Sequence, residues 1–290
     1  MKKSYSILGI VLIVMAAVWY SSLGPYLTPR VWPGWETKTT YLGTNNYPDP
    51  ATGQFVGPGS VSAYERAFKA YRDTQNGGLM IEESYTVFDV MTNAVTWQYI
   101  FNAPVDPQSG AHLSEKYHGS YFLFPRHVQK TTYIMSFSAY RDVPMAFENE
   151  ETIERLTTYL FSYTGAVDYA FAYASTDEYT GVDVGAGHEI KCWDDQLFLN
   201  AWVEPVTGEI VKFSESCFSG DYVYEQATGK QVAPVAIWSG ETAGDALIAR
   251  AVEVSGERSR VLWLNLYIPS LLAILGVLGL ILGVTQARKK

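Results

Sequence analysis

Charge is missing near both ends of this chain. No charged residue lies between Ser4 and Pro29, and none lies between Val261 and Ala287. Each run exceeds the roughly 20 residues that cross a hydrocarbon core as an α-helix. A lone strand is excluded there, because its backbone groups would stay unsatisfied in lipid. Cysteine is almost as scarce. Two residues, Cys192 and Cys217, do not make a zinc site, and the absence of cysteine from the first apolar run excludes a lipoprotein anchor. The four histidines, His112, His118, His127 and His188, show neither metalloprotease-helix nor zinc-knuckle spacing. They read as exposed or core-packed side chains.

Other catalytic signatures are absent too. The glycine-rich stretch Asp183–Glu189 has no lysine and no preceding P-loop strand, so it reads as a loop. Ser216 and Ser219 lack a nucleophile-elbow context. The acids Asp168, Asp177, Glu178, Asp183, Glu189, Asp194 and Asp195 are opposed only by Lys191, but they have no EF-hand spacing. A solvated acidic loop is the simpler reading. No catalytic residue, cofactor or metal site emerges, and the chain reads as a non-enzyme.

What is present starts at the termini. Lys2 and Lys3 precede the first apolar run, and Arg288, Lys289 and Lys290 follow the second. The positive-inside bias therefore predicts two transmembrane helices in the cytoplasmic membrane, with both termini cytoplasmic and the middle outside. Trp19, Tyr20 and Tyr26, and Trp263 and Tyr267, fall at the outer ends, where an aromatic belt belongs. A cleaved signal peptide also begins with a basic tip and an apolar core. The length of this run and its exit "VWYSSLGPY", without a clear small-x-small site, favour a retained anchor. With the five terminal basic residues set aside, 16 basic face 30 acidic residues, a net charge of −14 for the middle. Nucleic acid is not an expected partner of so acidic a segment. Both cysteines lie in it, on the side where a disulfide persists.

The expected organisation is a cytoplasmic tip and first helix over 1–29, a β domain over 30–238, a helical stalk over 239–260, and a second membrane helix with a basic tail over 261–290. Within the β domain, "IEESYTVFDV", "VTWQYIFNA", "HGSYFLF", "TTYIMSFSAY", "ERLTTYLFSYTG" and "VDYAFAYAST" read as strands bounded by turn residues. Such frequent strands predict an antiparallel curved sheet, sandwich or barrel-like ectodomain flanked by the two helices. "SAYERAFKAYRD" fits a helix through Tyr64, Phe68 and Tyr71, or a strand face through Tyr64, Arg66, Phe68 and Ala70, and periodicity leaves both open. Ser239 is the candidate N-cap of the stalk, with Glu241 and Asp245 in its early turns.

One phrase recurs: "DPATG" at Asp49–Gly53, "DVMTN" at Asp89–Asn93, "EPVTG" at Glu204–Gly208 and "EQATG" at Glu225–Gly229. Acid-x-x-Thr-Gly suits a type I turn closed by a left-handed residue. The acid accepts hydrogen bonds from the turn, and Gly or Asn takes positive φ. It predicts hairpin connections rather than a binding motif. Cys192 and Cys217 sit at nearly mirrored distances from the third turn, so a disulfide there is expected to staple the open end of that hairpin.

"TYLGTNNYPDPATG", "YTVFDVMTNAV", "FLFP", "IERLTTYLFSYTG" and "LNAWVEPVTGEIVKF" follow one another in an order that resembles the porin PorA family. That resemblance implies an N-terminal span, a β-rich external domain and a C-terminal span, and it brings no catalytic residues. The acidic stretch "ASTDEYTGVDVGAGHEIKCWDD" and the cysteine pair depart from the pattern it implies. A porin in the usual sense is a closed transmembrane barrel, which apolar helical spans exclude for a single chain. The expected function is that of a cell-envelope protein embedded in the lipid bilayer, binding a hydrophobic ligand, an envelope glycan or a protein partner, or serving assembly. The alternatives are a homo-oligomeric helical channel and an envelope enzyme using the acidic loop.

Overall fold

The computed structural model describes residues 2–57, 59–72, 78–113, 119–137, 140–167, 179–180, 184–192 and 197–288. It contains two compact units, Val31–Val254 on one hand and Met1–Arg30 with Ser255–Lys290 on the other.

The larger unit is a curved, mostly antiparallel sheet, a half-barrel. Its strands are β1 (Glu36–Asn46), β2 (Ser60–Arg72), β3 (Leu79–Asp89), β4 (Val95–Val105), β5 (Ser120–Tyr121), β6 (Tyr133–Phe137), β7 (Tyr140–Ile153), β8 (Leu156–Gly165), β9 (Tyr179–Thr180), β10 (His188–Cys192), β11 (Leu197–Val203), β12 (Ile210–Glu225) and β13 (Lys230–Glu241). They follow the order β5-β6-β7-β8-β11-β12-β13-β1-β2-β3-β4-β9, with β10 paired to β12. The pair β5–β6 is parallel. The ambiguous segment is strand β2. Tyr64, Arg66, Phe68 and Ala70 all face the interior, and register with β1 and β3 along its length fixes that choice. Alternation is equally plain in β11, where Leu197, Leu199, Ala201 and Val203 are buried and the residues between them half-buried.

Several expectations are refined. "HGSYFLF" supplies only the two residues of β5, and Phe122, Leu123 and Phe124 then run through the core as irregular chain. The expected strand "VDYAFAYAST" lies almost wholly outside the described residues. Ser239 does not cap a helix. It sits in β13 opposite Thr44 and Ser216, and helix α3 (Gly244–Leu262) begins five residues later at a glycine with φ +57°. Nor is the first part of that helix a free stalk: Leu247, Ala251 and Val254 pack on Ile153, Leu156 and Val211 of the sheet. The boundary between the compact units falls inside α3, at Val254/Ser255.

The smaller unit holds α1 (Lys2–Val18), a π-helical turn at Trp19–Leu23, α2 (Gly24–Leu27), the end of α3, a second π-helical turn at Trp263–Tyr267, and α4 (Ile268–Arg288). Ser4–Leu27 and Gly244–Gln286 are long and apolar enough to cross a membrane. Helices α1 and α4 pack through small residues. A Cβ on Gly276 would stand 2.7 Å from Ile13 Cγ1 and 2.8 Å from the Gly9 carbonyl oxygen, and one on Gly9 would stand 2.6 Å from the Gly276 carbonyl oxygen. Between helices in lipid, where the hydrophobic effect is absent, such close backbone contact is the kind that supplies the attraction. Gly276→Leu is therefore expected to push the pair apart, destabilising it by about 1–3 kcal/mol, the range for overpacking. Spin labels at Val11 and Val277 should move apart in the variant, and an unchanged distance distribution would refute the glycine contact.

Candidate functional site

The interior of the half-barrel holds a buried cation on β2. Arg66 on β2 projects inward, 1% exposed. Its Nε lies 3.1 Å from Glu83 of β3, and its Nη2 lies 3.4 Å from Glu215 of β12. Tyr85 donates its hydroxyl to Glu215 at 2.9 Å. The guanidinium carbon also stands over four rings, at 5.3 Å from Tyr41, 4.8 Å from Tyr85, 4.9 Å from Phe122 and 5.4 Å from Phe213. Burial opposes the Arg66 charge, but Glu215, Tyr41 and Glu83 together raise its pKa well above the usual arginine value. Burial pushes the Tyr41 hydroxyl up to about 12, against the pull of Arg66, and raises Tyr85 further. The centre thus stays an Arg–carboxylate cluster walled by neutral phenols.

Phe122 packs against this centre. It holds φ at +51°, an uncommon value for a bulky residue, and its ring lies 4.7 Å from Phe68 and 5.6 Å from Phe213. The space left among Trp35, Tyr41, Phe68, Phe122, Phe213 and Arg250 amounts to about 10 Å³. That is room for one water molecule at most. Many of the aromatics that the composition advertises pack in the core here.

The recurrent turns are where the sequence put them, and each acid serves its own loop. Asp49 accepts from the amides of Ala51 and Thr52. Asp89 accepts from both the amide and hydroxyl of Thr92, with Asn93 at φ +55°. Glu204 does the same for Thr207 at 2.8 Å each, and Glu225 takes the Thr228 hydroxyl at 2.6 Å. The glycines at 53, 208 and 229 have φ between +65° and +74°. In each turn the threonine hydroxyl also accepts the amide two residues on. A fifth copy escaped the pattern because serine replaces threonine: in "DPQSG" Asp106 accepts from Ser109 and Gly110 has φ +73°. The Glu204–Gly208 turn departs from the others in being buried. The chain at Phe124, His127 and Val128 donates to its carbonyls, and a Cβ on Gly208 would meet the Phe124 carbonyl oxygen at 2.3 Å.

Cys192 and Cys217 form a disulfide. It lies at the open end of the hairpin β11–β12, with Cys192 just before the first residue of β11. Cys217 stands opposite Leu197 in that hairpin, whereas Cys192 lies on β10 opposite Asp221. The bond therefore ties β10 to β12. Asp221 accepts the Trp238 indole N–H at 2.6 Å beside it. Among the described residues, Cys192, Cys217 and Asp221 are the one group with clustered metal-ligand atoms, and the sulfurs are already bonded to each other. His112 is half-buried, and burial lowers its pKa to about 4 against the opposing charge of Asp142. His127 is exposed with φ +55°, and His188 begins β10. His118 and the acids Asp168, Asp177, Glu178, Asp183, Asp194 and Asp195 lie outside the described residues.

On the helices, Tyr20, Trp263 and Tyr267 are exposed, whereas Trp19 donates its indole N–H to the Leu264 carbonyl at 2.7 Å. Asn265 donates to the Thr28 hydroxyl. The first contact joins the two π-helical turns, and the second starts from one of them.

Ion pairs occupy part of the outward face of the sheet. Lys38 pairs with Glu65 at 2.5 Å, Lys69 with Glu36 at 3.7 Å, and Lys130 with Glu150 at 2.6 Å. The lipid-facing strands of a membrane barrel need an apolar band there. Between the first two pairs lies a shallow groove of about 470 Å³, floored by Ala67 and Ser84 and rimmed by Glu36, Lys38, Lys69 and Glu82. These features define a class: a β half-barrel with an aromatic-rich core, carried in one chain with two helices apolar enough to span a membrane. The chain belongs to the Porin PorA family, whose model matches residues 35–285. No curated protein matches the chain.

Proposed function

We propose that this is a membrane-anchored cell-envelope protein with both termini cytoplasmic and the β domain extracytoplasmic. That domain binds a partner (lipid, glycan or protein) or serves envelope assembly, without catalysis of its own. The groove floored by Ala67 and Ser84 carries this reading. Small residues at its centre and charges of both signs at its rim suit a polar partner. Purification in native-lipid particles, with mass and co-purifying molecules determined together, tests it. A bound partner lost in Ala67→Trp is expected, and a chain carrying no partner in either form would refute it. Orientation is tested at Ala227, in an exposed turn. Ala227→Cys should react with an impermeant thiol reagent on intact cells, and protection would overturn the topology.

A second reading, a subunit of an oligomeric helical channel, is favoured by the family's description as a porin. One chain supplies two such helices, so any pore needs several copies. Few polar residues are available to line it, and Asn265, Thr28 and Trp19 are engaged between the helices. Absence of conductance across planar bilayers would remove this reading.

A further inference from the structure

The groove on the outward face of β1, β2 and β3 carries charge of both signs, and most of it is already matched. Lys38 pairs with Glu65, and Lys69 with Glu36. Among the described residues no ion pair engages Glu82, which lines the same groove half-buried. Register sets Glu82 between Lys69 of β2 and Asn102 of β4. Tyr71 donates its hydroxyl to Asn102 Oδ1 at 3.2 Å, which leaves the Nδ2 group as a donor beside the Glu82 acceptor. Ser84, two residues along β3, adds a hydroxyl that both donates and accepts. Ala67 stands opposite Ser84 and keeps the floor low.

We propose that this groove binds a neutral, hydroxyl-rich sugar, carried on a polysaccharide or on a glycolipid headgroup. The inference rests on the reading of the groove as the partner site and names its ligand class. Sign disfavours charged ligands. An anion meets Glu36, Glu65 and Glu82, and a cation meets Lys38 and Lys69. Glu36, Lys38 and Lys69 are each more than half exposed at their side chains, so a salt bridge to any of them adds little. An acyl chain needs an apolar lining, whereas Ala67 and Phe68 are the apolar residues among the eight that line the groove. A protein partner anchors through large side chains in desolvated pockets, and a groove of about 470 Å³ has the size of a small-ligand site. Sugar hydroxyls donate and accept at once, so a vicinal pair meets the Glu82 carboxylate and the Asn102 amide together. Those two groups sit on neighbouring strands about 4.8 Å apart, close to the span of a single sugar ring.

The test applies the full chain, in native-lipid particles free of sugar-headed detergent, to an array of oligosaccharides and glycolipids. Neutral sugars should bind, anionic and cationic ones should not, and added salt should leave the binding unchanged. Free-oligosaccharide and glycolipid spots separate the two sources. Glu82→Ala removes a side chain without an ion pair, so folding is not at stake. It should weaken binding about tenfold, the loss of one hydrogen bond to a charged group. Ala67→Trp should abolish binding, and Gln226→Ala, in an exposed turn elsewhere, should change nothing. Binding to charged sugars alone overturns the proposal, as does neutral-sugar binding indifferent to both groove variants. If no sugar binds but the particles lose a different partner in Ala67→Trp, the groove is the partner site and the sugar is wrong. If the wild type carries no partner and binds no sugar, both readings fail.

Discussion

Arg66→Met is expected to lower the stability of the β domain by about 3–5 kcal/mol, the cost of breaking a buried ion pair from one side. The methionine side chain fills much of the same volume, so the loss is electrostatic rather than a packing void. Glu83 and Glu215, 0% and 3% exposed at their side chains, would remain in the interior without the guanidinium that both now face. Tyr85 would still donate to Glu215, but one neutral hydrogen bond does not replace a guanidinium. The four rings that face Arg66 would lose their cation as well. Replacing all three charged groups, Arg66→Met with Glu83→Gln and Glu215→Gln, should recover a good part of the stability, since a neutral buried set carries no uncompensated charge. Urea unfolding followed by tryptophan fluorescence checks both. If the single variant unfolds at the wild-type midpoint, the cluster does not organise the interior as described. If the triple variant is worse than the single one, its hydrogen bonds matter more than its charge balance.

This cluster was the least legible part of the fold, and the reason is physical. Arg66 lies in "AYERAFKAY", where a charged residue every few positions looks like a solvated face and the period fits helix and strand alike. Its two carboxylate partners are 17 and 149 residues away, and only the closing of β12 and β13 beside β1 brings Glu215 to it. Turns were far more legible, because their chemistry is local. An acid, a threonine and a glycine within five residues satisfy one another whatever the rest of the chain does. Strands β3, β4, β8 and β11 were legible from alternation. Strand β7 was hidden by Pro144 and the run Glu148, Glu150 and Glu151 on an otherwise sheet-like segment, and β13 by Pro234 and by a glycine-rich exit that imitates a helix start. The two apolar helices were plain from the absence of charge, but their glycine contact was not, since spacing alone does not say which face of α4 meets α1. The groove at Ala67 could not be read at all. Its floor consists of small residues on adjacent strands, and their register is set by the neighbouring pairs.

Loss of the disulfide is expected to lower stability by about 3–4 kcal/mol, from the unfolded-chain entropy of a 25-residue closed loop. Two features place the effect at β10. Among the described residues that strand pairs with β12 alone, through His188–Cys192, and lies off the main strand path. Ile190 and Cys192 nonetheless belong to the principal core, so releasing β10 opens that core next to Trp238 and Asp221. Substitution by alanine would remove sulfur volume as well as the bond, which makes Cys192→Ala/Cys217→Ala an overestimate of the cross-link alone. Reduction separates the two contributions. Wild-type protein unfolded in urea with and without a phosphine reductant should differ by nearly the whole 3–4 kcal/mol, whereas the alanine pair should be indifferent to reductant. Thiol labelling of the folded wild type should detect no reactive cysteine until reductant is added. Equal midpoints with and without reductant, in a sample whose thiols are shown to be free, would mean that β10 is held by its strand pairing and core contacts and that the bond is dispensable to the fold.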